Sequence, residues 1–378
     1  MQLSYAVPMN TPNQKIRVGV FFGGRSAEHE VALQSAKNII EAIDPAKYDV
    51  TLIAVDKSGQ WHHADAAGYL AHESDPKRIQ LAASDHQMAL VPGALNDRLM
   101  PVSGGGAPPK LDVVFPVLHG PYGEDGTMQG LLKLADVAFV GAGVLGSAVG
   151  MDKDVAKRLW RDADLPTARH ITLLYRDRET SDAATIADHL GLPCFVKPAN
   201  LGSSVGVRKA KSIDELAAAI THAFEYDKKV IIEQFIDGRE IECAVLGNDD
   251  PQASVLGEII PQHEFYSYEA KYIDGAGADL CIPADLPEAL SDEVRRTAVR
   301  AFEVVECEGM ARVDFFVTSS GAIYLNEINT IPGFTQISMY PKLWAATGVG
   351  YADLIDRLIQ LAIERHNREN ALKTTYDI

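Results

Sequence analysis

Cysteine is scarce in this chain: Cys194, Cys243, Cys281 and Cys307 are the four among 378 residues, and no two stand close enough for a CxxC pair. That spacing argues against a disulfide framework and a thiolate zinc site, and it fits a reducing cytoplasm. No apolar run approaches the roughly 20 residues that span a bilayer. Residues 1–14 lack a basic stretch followed by an apolar one, so they read as a loose leader and no secretory signal is expected. Basic residues are in deficit, with 35 Lys and Arg against 52 Asp and Glu, a net charge of −17. Such a balance argues against nucleic acid or an anionic membrane as the main partner. It leaves room for a phosphate ligand, because a local cluster of Lys and Arg reverses the field inside a cleft. A Walker A loop is excluded, since no GxxxxGK[ST] occurs.

What is present is ordinary for a globular chain, 47% apolar and 23% charged, and the length predicts two or three domains. Residues 15–22 (KIRVGVFF) form an apolar strand ending at Gly23-Gly24, after which Ser26 is placed to cap a helix with acids in its first turn. Tyr48–Val55 and 111–117 (LDVVFPV) are further strands. Strand and helix alternate, which predicts an open, largely parallel sheet with ligand groups at strand ends. Glu28 stands at one such end and reads, alone, as a helix-terminal charge. His119 stands at another, in the glycine-rich LHGPYGEDG that leads into a helix over Thr127–Leu134; it fits a structural or a functional role equally. Residues 65–109 are irregular in texture, with a loop at 104–109.

After a strand over 137–140, GAGVLG matches the GxGxxG of dinucleotide sites. That fingerprint needs an acid closing the next strand about 20 residues on. Asp162 and Asp164 lie there in a helical stretch instead, so the motif reads as a tight turn and a crossing between domains. Met151-Asp152-Lys153 starts another helix. Further on, Lys197 ends a strand and is followed by PANLGSSVGV, a Gly/Ser loop whose N–H and hydroxyl groups can hold an anion. With Lys153 it looks like a phosphate clamp; taken alone, a flexible Gly/Ser hairpin is the safer reading. The strand over 229–235 carries Glu233 in an apolar run. Aromatic residues crowd 265–272 between Pro261 and a glycine-containing loop, the texture of a lid or of surface packing. An amphipathic helix is predicted over 351–365.

The chain is organised around residues 309–333, GMARVDFFVTSSGAIYLNEINTIPG. Two apolar runs, 311–317 and 322–328, flank Ser320-Gly321, a two-residue turn signal. That turn sets Asp314 opposite Glu327 and Arg312 opposite Asn329, all on one face, with Val313, Phe315 and Ile328 on the other. The bland reading is a solvated face with cross-strand ion pairs. Against it, two like charges directly opposite destabilise a sheet unless a cation intervenes. Two carboxylates and an amide oxygen suit Mg²⁺.

Taken together, GGRSAEHEVALQS, LHGPYGEDGTMQG, MDK, VKPANLGSSVG, EAKY, ARVDFF and LNEINTIPGFTQISMYP resemble the ATP-grasp superfamily, and within it the D-alanine–D-alanine ligases, from about residue 17 to 361. The resemblance implies an α/β fold of three domains: an N-terminal substrate-binding body over 1–141 with an open, mostly parallel sheet, then central (142–232) and C-terminal (233–378) α+β bodies gripping ATP. It implies ligation of two D-alanines through a D-alanyl phosphate, in the cytoplasm, for peptidoglycan. The alternative products are those of D-Ala-D-lactate or D-Ala-D-Ser ligases. By the same resemblance, Lys153, Lys197, Ser203 and Ser204 match the phosphate side of the ATP site. Glu233, Phe235 and Ile236 match the adenine-side strand, Glu240 the ribose acid, Lys271 a further nucleotide lysine, and Phe316 a further ATP-binding residue. Asp314, Glu327 and Asn329 match ligands of two Mg²⁺ or Mn²⁺ ions, with K⁺ a further cation the family admits. Glu28 matches the acid for the first D-alanine's ammonium group, with His119 beside it. Arg312 and Gly333 match the oxyanion donors, and Ser338 and Met339 the second D-alanine's carboxylate side. Glu28, Ser203 and Tyr272 match a triad closed by a lid over 266–274, where Tyr272 favours the dipeptide over D-lactate. A homodimer is implied as well.

Overall fold

Period-two alternation builds the first sheet: along residues 16–23, Val18, Val20 and Phe22 enter one core and Phe21 the other, all fully buried. The computed structural model describes residues 14–376 except 66–67, 73–74, 76–77, 83, 85, 94–98, 104–109 and 262–277. Strands β1 (Ile16–Gly23), β2 (Tyr48–Val55) and β3 (Trp61–Ala64) are followed by a small ribbon of β4 (Leu70–Ala71) with β5 (Gln80–Leu81). Then come β6 (Gln87–Leu90), β7 (Leu99–Ser103), β8 (Val113–Val117) and β9 (Ala138–Phe139). The main sheet has the order β7-β6-β3-β2-β1-β8-β9. Its β2-β1-β8-β9 half is parallel, as expected. The irregular 65–109 stretch supplies antiparallel edge strands.

Helices α1 (His29–Ala42), α2 (Thr127–Leu134), α3 (Val144–Met151) and α4 (Lys153–Asp162) come next to this sheet in the chain. The N-cap position of the first is Glu28, not Ser26: Ser26 Oγ instead accepts the Glu28 N–H at 3.1 Å and donates to His119 O at 2.7 Å. Asp152 caps α4 through the Val155 N–H.

The second sheet, antiparallel, takes β10 (His170–Leu174), β11 (Cys194–Pro198), β12 (Arg208–Ala210) and β13 (Lys229–Gln234) in the order β10-β13-β11-β12. Helices α5 (Ala183–Leu190) and α6 (Ile213–Ala223) cover it around Val196, Val230 and Ile232. The third, also antiparallel, takes β14 (Arg239–Gly247), β15 (Gln252–Pro261), β16 (Ala278–Cys281), β17 (Gly309–Val317) and β18 (Ile323–Asn329) in the order β16-β15-β14-β17-β18. Helix α7 (Glu288–Val304) and Trp160 of α4 pack on one face of it. On the other, α8 (Met339–Ala346) and α9 (Tyr351–Asn370) share a continuous core with the first sheet.

GAGVLG is part of that junction. A Cβ on Gly146 would lie 2.4 Å from Glu306 O. Arg365 of α9 donates to Phe139 O at 2.8 Å and to Gly141 O. The motif is a packing turn. The four cysteines are free, three of them buried. Among the described residues no helix is long and apolar enough to cross a membrane.

Candidate active site

The β17–β18 hairpin pairs Asp314 with Glu327 and Arg312 with Asn329, the expected register. The route to it differs. Val317 pairs with Ile323, so the turn spans 318–322 instead of two residues, closed by Thr318 N–H on Ala322 O at 2.9 Å. This slips the register by one residue, and a bulge at Asn326 slips it back before Glu327. The extra residue also breaks the alternation: Leu325 and Ile328 enter the core, while the consecutive Asn326 and Glu327 line a cavity.

The like charges on this face are neutralised by neighbours. Arg312 makes two 2.7 Å bonds to Asp314 and lies 3.0 Å from Glu242, while Lys153 Nζ lies 3.4 Å from Glu327. Asn329 donates to Asp314 at 3.0 Å. Burial opposes the charge on Arg312, but Asp314 and Glu242 outweigh it and hold the guanidinium pKa above its ordinary value. Among the described residues no three His, Cys, Asp or Glu side chains gather as a metal cluster. Two carboxylates and a carboxamide are nonetheless the donor set Mg²⁺ uses when phosphate oxygens complete its shell. The residues present fit that ion.

Lys197, at the end of β11, reaches Glu233 at 2.6 Å and Asn326 Oδ1 at 3.1 Å. On the other side of Glu233 stands Lys157 of α4, only 1% exposed, at 2.8 Å. Lys157 also donates to Leu325 O at 3.3 Å. Burial pushes the Glu233 carboxyl up, and the two ammonium groups override it, holding the pKa below the usual carboxylate range. Lys197 rises despite its burial, through Glu233 and Glu327. Lys157 goes the other way, since its enclosure outweighs its share of Glu233 and Lys197 adds a like charge.

Lys153 donates to Leu201 O at 2.7 Å at the foot of the Gly/Ser loop. In that loop Ser203 and Ser204 take φ of +51° and +59°, two successive side chains in the left-handed region, a strain found at functional sites. Ser203 donates to Glu28, whose carboxylate is buried. Gly120 has to be glycine beside it: φ is +76°, and a Cβ would lie 2.6 Å from Glu28 Oε2. Glu124 accepts the Gly120 and Ile331 N–H groups, and burial, then the charge of Glu28, pushes its pKa up to about 8. His119 spends both ring nitrogens on the protein, Nδ1 on Ile331 O and Nε2 on Ser35 Oγ; burial pushes its pKa down to about 4.

Two cavities of about 390 and 410 Å³ meet at Lys153, Gly202, Glu242 and Glu327. The first is lined by Glu28, His119, Ser203, Arg312, Gly333, Ser338 and Met339. The second holds Lys197, Ser204, Glu233, Phe235, Ile236, Glu240, Asp314 and Phe316. Asn329 opens on the first. Lys271, Tyr272 and the 266–274 lid lie outside the described residues. Lys157, Glu242, Asn326, Glu124 and Ser35 join the site without a motif in the sequence that assigns them a role. Lys157 carries a local signal, one helical turn after Lys153. Strict alternation hid Asn326 by assigning it to the core face.

Three sheets, with a lysine-lined cleft between the second and third that ends on the polar face of the β17–β18 hairpin, define the ATP-grasp class. The models for the D-ala D-ala ligase N-terminus and C-terminus match residues 17–142 and 159–360. The chain belongs to the D-alanine–D-alanine ligase family. It is 56% identical over 361 residues to a D-alanine–D-alanine ligase of Shouchella clausii, covering 96% of this chain and 98% of that one. With D-alanine–D-alanine ligase A of Escherichia coli K12 it shares 55% identity over 362 residues, covering 96% and 100%. The solved D-alanine–D-alanine ligase of Coxiella burnetii superposes with a TM-score of 0.81 at 39% identity, covering 94% and 96%. The VanG D-Ala:D-Ser ligase of Enterococcus faecalis gives 0.79 at 35%, covering 92% and 100%.

Proposed function

We propose a division of labour between the two cavities of an enzyme that joins two D-alanines into D-alanyl-D-alanine, with ATP as driving substrate, for peptidoglycan precursor synthesis. The observation that carries it is the shared face of Arg312, Asp314, Glu327 and Asn329 where the cavities meet.

In the first step a carboxylate oxygen of one D-alanine attacks the γ-phosphorus of ATP, the bond to the bridging oxygen breaks, and ADP leaves an acyl phosphate. In the second, the amine of the other D-alanine attacks the carbonyl carbon, and phosphate departs from the tetrahedral intermediate as the amine loses its proton. Lys153, Lys197, Ser203 and Ser204 hold the phosphates, and Lys271 joins them. Glu233, Phe235, Ile236 and Phe316 take the adenine and Glu240 the ribose. Asp314, Glu327 and Asn329 would hold two Mg²⁺ or Mn²⁺ ions, which when bound neutralise charge on the transferring phosphoryl group; K⁺ is a further candidate cation. Glu28, with His119 behind it, receives the ammonium group of the first D-alanine. Arg312 and the Gly333 N–H stabilise the oxyanion, and Ser338 and Met339 place the second carboxylate. Tyr272 completes a triad with Glu28 and Ser203, and closure by its segment keeps water from the acyl phosphate. The bodies 1–141, 142–232 and 233–378, a homodimer and a cytoplasmic location complete the proposal.

The test is phosphate release with ATP, Mg²⁺ and D-alanine, beside reactions with L-alanine and with D-alanine plus D-lactate or D-serine. D-alanine-dependent release with dipeptide product is expected. Release only with D-lactate or D-serine present would change the product, and no release with ATP still bound would overturn the reading.

A further inference from the structure

Residues 331–333 and Thr335 line the first cavity, and the backbone of this run is gripped from the first sheet's side. Ile331 N–H donates to Glu124 Oε1 at 3.0 Å, and Ile331 O lies 3.0 Å from His119 Nδ1. Phe334 N–H donates to Ser35 Oγ at 3.1 Å, and Ser35 Oγ lies 3.1 Å from His119 Nε2. Every direction follows from the end groups. A carbonyl only accepts, so His119 carries its proton on Nδ1, and Ser35 must give its hydroxyl proton to Nε2. The chain of bonds runs from Phe334 N–H through Ser35 and His119 to Ile331 C=O, with Pro332 and Gly333 between its ends. Glu124 Oε2 also accepts Gly120 N–H at 2.6 Å, which ties the turn to the loop beside Glu28. Pro332 has no N–H, and Thr335 N–H is taken by Ser338 Oγ at 3.0 Å. Among the described residues, Gly333 alone in this run has an N–H that meets no acceptor.

We propose that Ser35, acting through His119, and Glu124 are positioning residues that clasp the 331–334 turn and aim the Gly333 N–H at the oxyanion formed when the second amine attacks. The proposal rests on the ligase reading above and adds to it the groups that hold its donor still. A donor aimed beforehand needs no reorganisation as charge develops, and a turn free to shift by about an ångström would lose much of that effect. Ser35→Ala breaks the relay at both bonds in a helix that tolerates alanine. Glu124→Gln offers one acceptor oxygen where two N–H groups need one each.

The test compares full-length wild type, Ser35→Ala and Glu124→Gln in dipeptide synthesis, in ATP binding, and in inhibition by a tetrahedral phosphinate analogue of the dipeptide. Turnover should fall roughly 10- to 100-fold, with analogue affinity falling in parallel. ATP affinity and the first-substrate KM should move by no more than about twofold. Variants that bind ATP and keep the wild-type preference for the analogue over D-alanine would overturn the clasp. A wild type that makes no dipeptide, or shows no such preference, would instead overturn the reading of the site.

Discussion

Burial sets the protonation of His119 and makes it an acid sensor of stability. Its pKa is pushed down to about 4 by enclosure, against which the bond to Ile331 O works only in part. An unfolded histidine titrates near 6.5, so between about 4 and 6.5 the folded chain binds fewer protons than the unfolded one. The contribution is full above about 6.5 and is lost as pH falls toward 4, on the order of 3 kcal/mol over the window. Glu124 has the opposite sign: raised to about 8, its contribution is full below the unfolded value and fades as pH rises through 8. We expect His119→Gln to lose less stability than wild type between pH 7 and pH 5 in urea unfolding; parallel losses would refute the assignment. Of these two residues the sequence displayed the position of His119 at a strand end. It did not display its neutrality, which comes from neighbours on other elements.

At the scale of the element, the β17–β18 hairpin shows how a register can be legible while its cause is not. The turn signal at Ser320-Gly321 led to the observed pairing at Asp314 and Glu327, although the turn covers 318–322 and the bulge at Asn326 restores the count. The bulge is invisible to a period of two, yet it delivers both Asn326 and Glu327 to the cleft. Deleting Asn326 should keep Glu327 opposite Asp314 on the cleft face, because Leu325, Glu327 and Ile328 then alternate regularly, and should remove only the carboxamide that Lys197 meets, so turnover should fall by no more than about tenfold. Adding one glycine after Ser320, in the exposed turn, should leave activity within about threefold. Phosphate release measured on both variants decides this, and a folded but inactive Asn326 deletion would show that the bulge itself is needed. Helices were easier to see: α2 matches its expected span, and α9 runs to Asn370, beyond the expected end at Arg365.

For the whole molecule, the tie between its first and last segments is an energetic matter. Arg365 bonds the carbonyls of Phe139 and Gly141 and lies 4.5 Å from the centre of the Phe139 ring. Arg365→Met keeps the stem and leaves two buried carbonyls unpaired, so a loss of about 3 kcal/mol in chemical unfolding is expected. A change under about 0.5 kcal/mol would mean the tie carries no weight. GAGVLG, which resembled a dinucleotide fingerprint, belongs to this junction, and that became legible only once α9 was seen to pack there.

The sequence by itself determined the reactive inventory and the local order around it: the strand ends bearing Glu28, His119 and Lys197, and the polar face of the hairpin. These follow from short-range periodicity and turn chemistry, which the chain carries in runs of a few residues. Tertiary structure alone decided which groups hold that inventory in place. Lys157 meets Leu325 across 168 positions, His119 meets Ile331 across 212, and Ser35 meets Phe334 across 299. Over such separations no local period carries register. The partners, and the charge states they impose, exist only after three sheets have packed and excluded water from the cleft.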